Sequence, residues 1–106
     1  MLDERAYVVL MRVHLVFPQA GSLKGKRAEL NRVKALLRER LRVSVAEVGY
    51  QDSWQRSTLA VAIAARSAAL AQDSVDKVQR ALDGRFPEGV RVEWRLASWG
   101  DLESIG

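Results

Sequence analysis

Residues 6–17 alternate with period two. Tyr7, Val9, Met11, Val13, Leu15 and Phe17 make one fully apolar face, while Val8, Leu10, Arg12, His14 and Val16 make a mixed one. That pattern predicts a strand whose odd positions face a core. Pro18, Gly21 and Ser22 end it, and Ser22 is a good helix N-cap. Leu23, Leu30, Val33, Leu37 and Leu41 then keep helical spacing to about Leu41. Arg42–Val48 is short and β-branched, a second strand. Gly49–Trp54 breaks the pattern, and Gln55–Arg66 resumes the alternation, with Leu59, Val61 and Ile63 set against Ala60, Ala62 and Ala64. A second helix carries Ala71, Val75, Val78 and Leu82 on one face and ends near 83–85, with Ser67 and Asp73 both available as its cap. Pro87 and Gly89 turn the chain into a last strand over Val90–Trp99.

The order is β-α-β-β-α-β. Right-handed crossovers place both helices on one face of a four-stranded antiparallel sheet. The expectation is an α+β, ferredoxin-like βαββαβ sandwich in a single domain over 1–106. The first and third strands, the most apolar, are expected at its centre.

Composition narrows the chemistry. At 106 residues, 48% apolar and 28% charged, the chain is long enough for a core without staples. The absence of cysteine excludes disulfides, thiolate catalysis and Cys-based metal sites. His14 is the only histidine, so neither a metal cluster nor a cofactor is expected. No apolar run approaches the roughly 18 residues of a membrane span. The opening MLDERAYVVL is wrong for a secretory signal, and the expected location is the cytoplasm. A pI near 10 favours an anionic partner. Arginine outnumbers lysine 13 to 4, which a GC-rich genome produces without selection for binding.

The charge is concentrated. Residues 22–42 hold eight basic and two acidic side chains, net +6 in a chain of formal charge +4. Lys24, Lys26 and Arg27 fall in the first turn of the first helix, where the macrodipole favours acids. Such a cluster on free backbone N–H donors, capped by Ser22, marks an anion site. The second helix supplies the contrast, since Asp73 and Asp76 come early in it and Arg80 and Arg85 late. Lys24, Arg27, Asn31, Lys34 and Arg38 follow 3-4-3-4 spacing and form a stripe about 21 Å long at 1.5 Å per residue. A stripe of that length follows several phosphates; its other role is a solvated, solubilising face.

Two further regions carry readable chemistry. The loop of Tyr50, Gln51, Asp52, Ser53, Trp54, Gln55 and Arg56 brings aromatic planes, amides and an arginine together, a set suited to unpaired bases. The structural alternative has Trp54 capping the core and Asp52 bonding turn amides or pairing with Arg56. On the even sheet face no aromatic platform exists of the kind RNA-recognition domains use. Its small apolar residues suit burial against another subunit, and a homodimer through that face is expected. Enzyme signatures are missing: the segment Phe17–Ser22 lacks the arginine of an acylphosphatase cradle, and no nucleophile set, phosphate loop or carboxylate pair is apparent. His14, beside Arg12, reads as a surface or interface residue.

The segment Ser22-Leu23-Lys24-Gly25-Lys26-Arg27 and the block Tyr50-Gln51-Asp52-Ser53-Trp54-Gln55-Arg56 together resemble the YlxP-like family of small, uncharacterised bacterial proteins. The resemblance covers nearly the whole chain. It implies a ferredoxin-like fold, and a gene neighbourhood among translation and ribosome-maturation genes, beside ribosome-binding factor A. This chain has Gly25 where relatives tend to carry Glu, which would complete a capping box with Ser22. It has Gly49 where Asp is common.

These readings converge on a non-enzymatic accessory protein that binds RNA or a ribosomal subunit. Ser22, Lys24, Lys26, Arg27, Asn31, Lys34 and Arg38 would grip phosphates, and Tyr50, Gln51, Asp52, Trp54, Gln55 and Arg56 would add recognition. The alternative is a dimeric small-molecule-binding or regulatory module of the same fold.

Overall fold

The computed structural model describes residues 4–106. Strand β1 (Tyr7–Val16) leads into helix α1 (Leu23–Ala35), which widens into a π-helical turn over Leu36–Arg40. Strands β2 (Ser44–Gly49) and β3 (Arg56–Ala65), helix α2 (Ala68–Arg85), strand β4 (Arg91–Ser98) and helix α3 (Trp99–Ile105) follow. The four strands form one antiparallel sheet in the order β2-β3-β1-β4, so β1 and β3 are central, as their apolar content predicts.

The core lies on the odd face of β1. Val9, Met11, Val13, Leu15 and Phe17 join Leu59, Val61 and Ile63 of β3, Leu30 and Val33 of α1, Leu37 of the π turn, and Ala71, Val75, Val78 and Leu82 of α2 in one buried cluster. Period-two strands meeting period-3.6 helices on one face leave the other face of the sheet uncovered.

Two expectations need correction. A third helix follows β4, where the strand was expected to run on through Trp99. Ser98-Trp99-Gly100-Asp101 is a complete capping box: Ser98 Oγ accepts from the Asp101 N–H at 3.1 Å, and the Asp101 carboxylate accepts from the Ser98 N–H at 2.9 Å. Satisfying both donors outweighs the β propensity of Trp99. Helix α2 is capped by Ser67, not Asp73, and has no acid in its first turn. Asp73 and Asp76 therefore sit further along, and α2 does not supply the dipole-obeying contrast to α1.

Candidate functional site

The first turn of α1 divides its cations between two roles. Ser22 Oγ caps it, accepting from the Gly25 N–H at 3.0 Å. Lys24 and Arg27 point outward, but Lys26 is fully buried. Its ammonium donates to the carbonyls of Tyr50 at 2.7 Å and Ser53 at 2.6 Å. Tyr50 sits at φ +60°, a left-handed conformation uncommon outside glycine and asparagine. Its carbonyl and that of Ser53 both accept from the ammonium, and the Ser53 N–H closes a turn on Tyr50 O at 3.1 Å. Lys26 is thus not open to an external anion. A first-turn lysine opposed to the dipole is held there by loop carbonyls from the far end of β2.

The stripe is also thinner than its spacing suggests. Arg27 pairs with Glu47 of β2 at 3.3 Å, and Ser57 donates to the same carboxylate at 3.2 Å. Arg38 donates to the Val45 carbonyl on β2 at 2.5 Å. Lys34 is half-buried, while Lys24 and Asn31 remain exposed. Helical spacing shows that these residues share a face. It does not show that the face leans over the β2 edge, where an acid and a carbonyl await.

The loop stands out from the body. Trp54 is 54% exposed and Tyr50 51% exposed, so Trp54 does not cap the core. The Arg56 guanidinium lies 4.7 Å from the Tyr50 ring centre rather than against Asp52. Gln55 ties the loop to the end of β1: its side chain donates to Pro18 O at 3.2 Å, and its carbonyl accepts from the Phe17 N–H at 2.7 Å. Gln51 and Asp52 are exposed. Through Lys26, the α1 first turn and this loop become one surface.

The uncovered sheet face holds a polar cluster that the sequence did not reveal. Arg12 and Glu93 are cross-strand partners, as are His14 and Arg91, and His14 and Thr58. Glu93 accepts from Arg12 at 3.0 Å and lies 2.9 Å from His14 Nε2, while His14 Nδ1 lies 3.4 Å from the Thr58 hydroxyl. With Glu93 ionised, Nε2 carries a proton and donates to it. The hydrogen bond from His14, and after it the charge of Arg12, lowers the Glu93 pKa despite some desolvation. Thr58, His14 and Glu93 stand in the order of a nucleophile relay. Yet Thr58 is only 8% exposed and in mid-strand, which suits positioning rather than attack. The signal was alternation itself: even positions on β1 and β3 share a face with odd positions on β4, and their register was needed to pair them.

Among the described residues, no group of three or more histidine, aspartate or glutamate side chains is arranged to hold a metal, and no helix is long and apolar enough to cross a membrane.

The family described as Protein of unknown function (DUF503) matches residues 8–95. The chain belongs to that family. The uncharacterized protein YlxP of Bacillus subtilis (strain 168) is a relative, 38% identical over 79 residues that span 71% of this chain and 85% of that protein. Among solved structures, the de novo designed protein Foldit4 superposes with a TM-score of 0.54 at 17% identity, covering 87% of this chain and 96% of that one. That likeness concerns the fold alone. The 30S ribosomal protein S6 from Thermotoga maritima matches at a TM-score of 0.39 and 16% identity, over 97% of this chain and 94% of that one. A score that low supports no functional inference.

Proposed function

We propose that this family member is a non-enzymatic accessory protein of ferredoxin-like build, β1 to β4 forming a βαββαβ body, that binds RNA, with a ribosomal particle as its partner. The observation that supports this most is the Lys26 clamp. It joins the outward Lys24 at the α1 start to a loop presenting Tyr50, Trp54 and Arg56. Cations beside exposed aromatic planes suit single-stranded or looped RNA, phosphate on one and bases on the other. The test is co-sedimentation with ribosomal particles across a salt series. The reading expects affinity to fall steeply with salt, and no binding at low salt defeats it.

The small-molecule reading has one observation in its favour. A cavity of about 370 Å³ lies between the β1–α1 and α2–β4 connections, lined in part by Phe17, Pro18, Arg85, Phe86 and Pro87. It expects a thermal shift with a metabolite and indifference to Lys24→Ala.

In either case the chain pairs with a second copy of itself through the apolar half of the open sheet face. Leu10 is 56% exposed there, and Val8, Ala62 and Ala64 lie around it. Helix α3 leaves β4 at that same end with Trp99 63%, Leu102 41% and Ile105 80% exposed, a stripe of apolar side chains at helical spacing. Two bare apolar surfaces on one chain suit an isologous contact. Light scattering at micromolar concentration expects twice the chain mass; a monomer there overturns the pairing.

A further inference from the structure

At the end of the open face remote from α3, the register builds a pocket rather than a flat surface. Arg91, His14 and Thr58 lie side by side across β4, β1 and β3, and the next row brings Val16 against Arg56, with Tyr50 beyond it. These residues line a cavity of about 200 Å³. One water needs only about 10–15 Å³ of such space, so the cavity has room for more than a single small molecule.

The walls are chemically divided. One side is cationic: among the described residues Arg91 is exposed and makes no ion pair, and the Arg56 side chain is engaged only by the Tyr50 ring. The charge of Arg91 acts on Glu93, but the oxygens of that carboxylate are bonded to Arg12 and His14, which leaves the Arg91 guanidinium without a direct carboxylate contact among the described residues. Beside this cationic side stands the half-exposed ring of Tyr50, with the Arg56 guanidinium 4.7 Å from its centre. The floor is fixed, since both His14 nitrogens are bonded and Thr58 is buried. An anion beside a planar wall on a rigid floor is what a nucleotide requires, whereas an acidic peptide would leave the aromatic wall unused.

The geometry points to this pocket as a nucleotide subsite, with the phosphate on Arg91 and Arg56 and the base stacked on Tyr50. It rests on the RNA reading above for its source, a nucleotide within a strand, and it moves the specific contact from α1 to the sheet. The pocket lies away from the apolar end assigned to pairing, so both surfaces can be occupied together.

The test uses the full chain with a fluorescently labelled single-stranded oligoribonucleotide, in parallel with adenosine 5′-monophosphate followed by the ring resonances of His14. Expected for Arg91→Ala is an affinity loss of about tenfold with a salt slope lower by about 1, and for Tyr50→Leu a loss of about tenfold with the slope unchanged. Arg91 is exposed, so its substitution leaves the fold intact, which circular dichroism verifies. Oligonucleotide binding that neither substitution weakens overturns the subsite and leaves the RNA reading standing. Adenosine 5′-monophosphate shifting His14 without oligonucleotide binding supports the subsite and defeats the RNA reading. Polyglutamate competing as well as the oligonucleotide overturns the nucleotide assignment, and binding of neither nucleotide form overturns both.

Discussion

Replacing Lys26 by Met removes the ammonium and keeps an unbranched, apolar stem in the same buried space. Two charge-assisted bonds are lost, to Tyr50 O at 2.7 Å and Ser53 O at 2.6 Å. At about 1.5–3 kcal/mol each, they are worth about 3–6 kcal/mol before offsets. Against that, the variant no longer buries an ammonium with no carboxylate partner, which returns a few kcal/mol. The loop carbonyls also regain water once the loop opens. A net destabilisation of about 2 kcal/mol is expected, lowering Tm by roughly 8–16 °C in a domain of this size. Urea unfolding followed by far-ultraviolet circular dichroism measures it. Amide exchange should accelerate most at Ser53, whose N–H bonds Tyr50 O. Lys24→Met, exposed and two residues earlier, should shift stability by less than about 0.5 kcal/mol. A Lys26→Met variant as stable as the parent, with exchange at Ser53 unchanged, would refute the clamp.

Other consequences are open to the same assays. Gly25→Glu should stabilise by about 1 kcal/mol, replacing a helical glycine and completing a capping box; a side chain there meets only Ser22 Oγ, at 3.4 Å. A lower urea midpoint would count against this. Arg27→Ala strips the cation from Glu47, whose side chain is 9% exposed, and should cost about 1–2 kcal/mol, part of which Arg27→Ala with Glu47→Gln recovers. A double variant no more stable than the single one would contradict the pairing. The Ser98 backbone N–H, with the Ser98 hydroxyl, holds the Asp101 carboxyl below its ordinary 3.8. A depressed carboxylate stabilises above that ordinary value and ceases to as pH falls through the folded one. Helix α3 should therefore loosen in acid below about pH 4, seen in the α3 amide resonances, and Asp101→Asn should abolish that dependence.

Alternation and helical spacing were sufficient for the sheet, its central strands and the helices α1 and α2, because each rests on a run of apolar residues in one period. Helix α3 was hidden because it is short and unburied, and only its capping box distinguishes Trp99 from a strand residue. The candidate site was legible in its parts and not in their relations. Lys26 reads as one more cation in a basic turn until the loop carbonyls are seen around it. Glu47 lies twenty residues from Arg27, and Glu93 lies 79 from His14, so both pairings wait on strand register. Trp54 could be read as core or as surface from its neighbours alone, and its exposure decides for surface.

The most direct measurement is the salt dependence of ribosomal-RNA binding by the parent, Lys24→Ala and Lys26→Met, at a temperature where all three are folded. The account predicts measurable binding at low salt, a slope lower by about 1 for Lys24→Ala, and an unchanged slope with weaker affinity for Lys26→Met. Absence of binding by the parent at low salt, or an equal fall in slope for both lysines, would contradict it.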